Sequence, residues 1–127
     1  MFQSLIVFFG AGIGGVARLG VNVACGRWCS PSFPWATLVI NVVGSTIMGL
    51  IAGWFAFRGA HPWTVNGKLF AMTGILGGFT TFSAFSLDTA TLWERGQAWL
   101  AALYVAGSVG GALAGIFLGL GFMRSLP

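Results

Sequence analysis

The stretch GILGGFTTFSAFS (residues 74–86) lies inside a long apolar region, yet it pairs two glycines and then alternates hydroxyl side chains with phenylalanines. Gly77 and Gly78 fall near the middle of that region, and glycine is a weak helix former. A break at these glycines would free backbone N–H and C=O groups. Membranes tolerate such groups only where the chain is buried in protein or lines a cavity. The stretch therefore predicts a membrane helix with a break that is buried in protein or lines a cavity.

The rest of the chain indicates that this stretch is surrounded by lipid. Of the 127 residues, 57% are apolar and only 6% are charged, whereas a soluble domain carries about 25% charged residues. Four apolar stretches cover roughly residues 4–24, 36–57, 69–92 and 98–123, and each is long enough to cross about 30 Å of hydrocarbon. We predict an all-α integral membrane protein, with residues 1–127 forming a single transmembrane domain of four helices and a break in the third.

The basic residues are divided evenly between the two predicted sides of the membrane. One side would hold Arg58, Lys68 and Arg124, and the other side Arg18, Arg27 and Arg95. The orientation of a membrane protein follows the excess of Lys and Arg in its short loops on one side. With three basic residues on each side, the sequence favours neither orientation. The balance predicts dual topology and an antiparallel homodimer. The alternative is a single orientation that other features fix.

Residue types that carry most enzyme chemistry are scarce. The only acids are Asp88 and Glu94, near the end of the third span, and the single histidine, His61, lies in a predicted loop. Cys25 and Cys29 are four residues apart, but no second pair of ligands accompanies them, so they are not interpreted as a metal site. The sequence predicts that the protein is not an enzyme, and no feature suggests a nucleic acid partner.

Neutral hydrogen-bonding residues recur at helical spacing within the spans. Thr37, Asn41 and Ser45 share one face of the second span, and Tyr104 and Ser108 share one face of the fourth. Such groups cost free energy in lipid and are expected to face the bundle interior or a water-filled path. Hydrogen bonding between helices is the simpler interpretation for one Ser or Thr. The amide of Asn41, near the centre of its span, favours a path.

The opening stretch adds hydroxyls and phenyl rings to these rows. Phe79, Phe82 and Phe85 recur every third residue, and Ser83 lies among them. Freed carbonyls would suit a cation, whereas freed amides and hydroxyls would suit an anion. The positive edge of a phenyl ring offers a further contact for a partly dehydrated anion. We predict that this segment lines an ion pathway; contact with lipid or core is the alternative for the three rings.

Four segments carry a resemblance to a known family, and they extend over the whole chain. GGFTTFSAFS (77–86), TLVIN ending at Asn41, GIGGVAR ending at Arg18 and YVAGS (104–108) are together similar to the Fluc, or CrcB-like, fluoride channels. The resemblance implies a passive channel that exports fluoride from the cytoplasm through the bacterial inner membrane and confers fluoride resistance. It also implies an antiparallel homodimer in the lipid, with two pores.

The resemblance also implies roles for individual residues. It places Asn41, Phe82, Ser83, Phe85, Tyr104 and Ser108 along the fluoride pathway. The backbone carbonyls of Gly77 and Thr80 would hold a structural sodium ion, Na+, that is neither transported nor catalytic. Arg18 and the net charge of +4 would draw anions toward a vestibule.

Two departures and one alternative stay open. Members of the resembled family often carry a hydroxyl at the position of Ala84, and Ala112 stands where the polar row of the fourth span could continue after Ser108. Both departures bear on the exit end of the pathway. The alternative function is a small proton-coupled multidrug-type exporter of the same size. Proton coupling needs a carboxylate inside the membrane, and the first two spans and most of the third contain none.

Overall fold

Four long helices account for most of the chain. The computed structural model describes residues 1–58 and 64–126; the loop that holds His61 lies outside these residues. Four helical stretches are long and apolar enough to cross a membrane: Phe2–Trp28, Trp35–Phe57, Val65–Glu94 and Ala98–Ser125. Each contains one of the predicted spans, so the prediction of four transmembrane helices is confirmed. The chain is a multi-pass membrane protein.

The third span is assembled from several helical pieces. After α1 (Phe2–Trp28) and α2 (Trp35–Arg58), the short helix α3 (Thr64–Lys68) continues into a π-helical stretch (Leu69–Leu76) and then into α4 (Gly77–Phe79). Thr80 and Thr81 are extended, with ψ angles of 157° and 116°. The helix α5 (Phe82–Glu94) begins directly after them. The predicted break in the third span is therefore confirmed.

The predicted position of the break, at Gly77 and Gly78, is wrong. Both glycines are helical, and the chain leaves the helix at the two threonines that follow. A Cβ on Gly78 would lie 2.5 Å from the carbonyl oxygen of Ala11, so this glycine permits close contact with α1. Threonine is β-branched and suits extended backbone. The glycines provide close packing, and the threonines provide the break.

A tight turn joins α5 to α6 (Ala98–Ser125). Gly96 has φ 73°, a left-handed conformation that favours glycine. Its amide donates to the carbonyl of Trp93 at 2.9 Å, and the amide of Gln97 donates to that of Leu92 at 3.0 Å. These two bonds are the Schellman pattern that ends many helices. The turn places α5 and α6 side by side and antiparallel.

Close backbone contacts hold the spans together in pairs. α1 packs against the π-helical stretch and α4, and α2 packs along α6. A Cβ on Gly14 of α1 would overlap the carbonyl oxygen of Ile75, and one on Gly119 of α6 would lie 2.7 Å from the amide nitrogen of Leu50. Small residues at such crossings let membrane helices approach closely. The break in the third span faces α2, between the two helix pairs.

Candidate functional site

A groove of about 310 Å³ opens beside the break in the third span. Its polar lining comes from Asn41, Ser45, Thr80, Thr81 and Ser108, and its apolar lining from Phe82, Phe85, Val109, Ala112 and Leu113. The fold thus brings together α2, the break, α5 and α6. Of the predicted pathway residues, Asn41, Phe82, Phe85 and Ser108 line this groove.

Asn41 binds the break with both of its polar groups. Its Nδ2 donates to the carbonyl oxygen of Thr81 at 3.0 Å, and its Oδ1 accepts a hydrogen bond from the Thr81 amide at 2.9 Å. A carboxamide has two N–H donors, so one donor is left over from this pair of bonds. Asn41 therefore fixes the shape of the break in addition to lining the groove. The helical spacing of Asn41 predicts that its side chain faces inward but does not predict its bonds to the break.

The first turn of α5 is capped by a side chain at the break. The hydroxyl of Thr81 accepts a hydrogen bond from the Ala84 amide at 3.2 Å, the usual N-cap arrangement. In a continuous helix, the amides of Thr81 and Ala84 would donate to the carbonyls of Gly77 and Thr80, four residues earlier. Here Asn41 and Thr81 accept them instead. The break thereby releases these two carbonyls from their usual donors.

Aromatic rings lead from the groove into the protein. Phe82 is 78% exposed, whereas Phe85 is buried, and their ring centroids are 5.3 Å apart. Phe85 lies 5.4 Å from Tyr104, which in turn contacts the edge of Phe33 at 5.6 Å. Phe79 precedes the break and packs near Gly44. The predicted period of three is therefore interrupted, and two of its three phenylalanines line the groove.

Tyr104 lies behind Phe85 and is fully buried. Its hydroxyl donates to Oδ2 of Asp88, on α5, at 3.1 Å. This pairing of Asp88 with Tyr104 is not among the predictions from the sequence. A signal was nevertheless present, because Asp88 lies eight residues before Gly96 and Tyr104 eight residues after it. Residues equally far from a tight helical turn face each other on antiparallel helices.

Ser108 presents a buried hydroxyl to the groove. The residue is 4% exposed, and its Oγ has no hydrogen-bond partner within the part of the chain that the structure describes. A buried hydroxyl without a partner costs about 1–3 kcal/mol. A ligand in the groove that accepts a hydrogen bond would recover this cost.

Four predicted site residues are not among those that line the groove: Arg18, Gly77, Ser83 and Tyr104. Ser83 is exposed, and its hydroxyl lies 3.1 Å from that of Thr81. Arg18 is half-buried on α1, one turn beyond Gly14. Among the described residues, no three or more His, Cys, Asp or Glu side chains cluster as metal ligands. The oxygens present at the break are those of the backbone and of Asn41, Thr80 and Thr81.

Known proteins resemble this chain along nearly all of its length. The family model described as "CrcB-like protein, Camphor Resistance (CrcB)" matches residues 5–120. The fluoride-specific ion channel FluC 2 of Nitrobacter hamburgensis is 56% identical over 124 residues, which cover 96% of this chain and 97% of that protein. The fluoride-specific ion channel FluC of Rhodopseudomonas palustris is also 56% identical, over 122 residues and the same shares of the two chains.

A third relative, the fluoride-specific ion channel FluC of Methylobacterium nodulans, is 52% identical over 126 residues, 98% of each chain. The family resemblance predicted from the four short segments is therefore confirmed. It extends through every span and includes the break and the groove. The chain belongs to the CrcB-like family.

Proposed function

We propose that the protein is a passive fluoride channel of the bacterial inner membrane, that it exports fluoride from the cytoplasm, and that it is not an enzyme. The observation that carries the proposal is the groove, in which the buried Ser108 hydroxyl faces neutral donors and phenyl rings beside a helix break. The names of the three relatives support the choice of ion. Export of fluoride by this route would confer fluoride resistance.

The groove suits a small anion that must lose its water. Fluoride is strongly hydrated, so donors at close range must replace the water, as in other selectivity filters. The Ser108 hydroxyl and the remaining Asn41 N–H supply two donors, and the edges of Phe82 and Phe85 add weaker positive contacts. The residues that line the groove are all uncharged. An anion held by neutral groups can leave again, which conduction requires.

The driving force needs no coupled reaction. Hydrogen fluoride crosses the membrane as a neutral acid and dissociates in the less acidic cytoplasm, where the anion is trapped. A negative interior then drives fluoride outward through any selective path. Arg18 and the net charge of +4 raise the local concentration of anions near the protein.

A second copy of the chain would complete the pathway. The groove is open on one side, and there Phe82 is 78% exposed. We propose an antiparallel homodimer, because the even division of basic residues favours insertion in both orientations. Each pathway would then lie between residues of both chains, in a dimer embedded in membrane lipid.

A structural sodium ion, held by the carbonyls of Gly77 and Thr80, belongs to the same proposal. Backbone carbonyls freed by a break in a helix coordinate sodium in other membrane proteins. The amides that would normally occupy these two oxygens donate to Asn41 and Thr81, so the donor set fits the ion. One chain offers two such oxygens, and two chains would offer four. A sodium ion there would hold the two helix breaks together and would not itself be transported.

The test is fluoride efflux from liposomes that contain the purified protein. A fluoride electrode records the efflux after a potassium ionophore is added, and chloride efflux is measured in parallel. We expect rapid efflux of fluoride and little of chloride. Efflux that needs a proton gradient would contradict the proposal and favour the small multidrug-type exporter, with Asp88 as the membrane carboxylate.

Two substitutions locate the pathway. Phe82→Ile and Phe85→Ile keep the apolar volume but remove the ring edges, and each is expected to abolish fluoride efflux. Phe117→Ile is the matched control, because Phe117 is 69% exposed on α6 and is not among the residues that line the groove. Normal efflux in both Phe82→Ile and Phe85→Ile would disprove the proposed pathway.

A further inference from the structure

The end of α1 places the two cysteines of the chain one helical turn apart. The amide of Cys29 donates to the carbonyl of Cys25 at 2.8 Å, which closes the last turn and fixes the spacing of the two residues. Residues four apart at a helix end carry their side chains on the same face, so the two thiols occupy neighbouring positions. Both side chains are free thiols and half-buried. The backbone of this turn thus fixes the relative position of the two cysteines before any ligand binds.

A second, separate groove gives access to this pair. It measures about 270 Å³ and is lined by both cysteines and by Asn22, Ser30, Phe33 and Trp35 among others. The loop beneath it is stiff, because Pro31 and Pro34 restrict its backbone and the hydroxyls of Ser30 and Ser32 lie 2.8 Å apart. The groove therefore gives a ligand access to the two neighbouring thiols.

We propose that Cys25 and Cys29 form a binding site for a soft, thiophilic cation of the copper(I) class. Thiolates are the ligands that select copper(I), and this ion is satisfied by two of them. Zinc would need four ligands, and among the described residues no third His, Cys, Asp or Glu joins the pair. Binding converts two thiols and one Cu+ into a bis-thiolate complex of charge −1 and releases two protons. The site lies outside the fluoride groove.

The test measures copper(I) binding directly and does not depend on fluoride transport. Purified protein in detergent, kept reduced and free of oxygen, competes with a coloured copper(I) chelator. We expect the wild-type chain to withdraw one equivalent of copper. Cys25→Ser or Cys29→Ser should weaken binding by more than about 100-fold, since a lost ligand costs more than a lost outer-shell partner.

The double variant Cys25→Ser/Cys29→Ser is the matched control. The chain has two cysteines and four methionines, so this variant removes every thiol and keeps every thioether. It should withdraw no copper while it elutes from a sizing column as the wild type does. Equal copper binding by the double variant and the wild type would overturn the proposal. Failure of the wild type to compete with the chelator would overturn it as well.

Discussion

Tyr104 and Ser108 lie one turn apart on α6, and their hydroxyls have different environments. The Tyr104 proton is donated to Asp88, whereas the Ser108 hydroxyl has no partner among the described residues. We predict that Ser108→Ala slows fluoride efflux at least about tenfold, because a hydrogen bond to an ion contributes about 1.5–3 kcal/mol. The free energy of unfolding should not fall, since the change removes an unpaired buried group.

Tyr104→Phe is the matched substitution on the same face, and the opposite result is expected. The packing of the ring on Phe85 is kept, so fluoride efflux should remain within about threefold of the wild type. The free energy of unfolding should fall by about 1–2 kcal/mol, because Asp88 loses its hydrogen-bond donor. Efflux and detergent unfolding are measured on both variants. If Tyr104→Phe loses efflux and Ser108→Ala keeps it, the hydroxyl of Tyr104 and not that of Ser108 contacts the ion.

Individual residues differ in how far the sequence predicts them. Asn41 and Ser108 were predictable because helical spacing places each on a polar face, and a polar face in lipid must turn inward. The hydrogen bonds from Asn41 to Thr81 were not predictable, since they join residues 40 positions apart. The contact between Asp88 and Tyr104 depends on the exact turn at Gly96, which composition does not reveal.

The break in the third span is stabilised by side chains, which makes it testable as an element. Thr81→Val keeps the shape of the side chain but removes the acceptor for the Ala84 amide. Loss of an N-cap costs about 1 kcal/mol, and we expect that decrease in the free energy of unfolding in mixed micelles. Thr91→Val is the control, because that hydroxyl donates to the Leu87 carbonyl within α5. Equal stability of the two variants would show that the cap does not hold the break.

The position of the break illustrates what local sequence leaves undecided. Two adjacent glycines are the weakest point of an isolated helix, and that reasoning places the break at Gly77. In the folded chain Gly78 packs against Ala11, and this contact keeps the segment helical. The extended residues are Thr80 and Thr81, where Asn41 supplies the missing hydrogen bonds. Tertiary partners therefore move the break from the glycines, where the local sequence predicts it, to the two threonines.

α1 packs closely against the third span where Gly14 crosses it. A Cβ on Gly14 would overlap the carbonyl of Ile75 and lie 2.8 Å from the Phe79 amide. Both neighbours are backbone, so we expect Gly14→Ala to lower the free energy of unfolding by about 1–3 kcal/mol, as overpacking does. Unfolding in detergent measures this change in the free energy of unfolding.

The adjacent glycine provides a control with the same chemical change. A Cβ on Gly15 would meet no atom within 4 Å among the described residues. Gly15→Ala should therefore stabilise the helix by about 0.5–1 kcal/mol. Equal effects at the two positions would mean that α1 does not pack against the third span in this way.

The proposed antiparallel assembly rests on charge, because the predicted topology places three basic residues on each side of the membrane. Two added lysines should therefore fix the orientation of every copy. Gln3→Lys with Ser4→Lys places both at the N-terminal side, and Ser30→Lys with Ser32→Lys places both on the opposite side. These four residues are exposed, so neither pair of changes removes a buried side chain; the second pair removes only the hydroxyl contact between Ser30 and Ser32. If the channel is an antiparallel dimer, each biased variant alone should lose fluoride efflux in membrane vesicles, and coexpression of the two should restore it. Full efflux from either biased variant alone would contradict the antiparallel arrangement, since copies that share one orientation could then form the pathway.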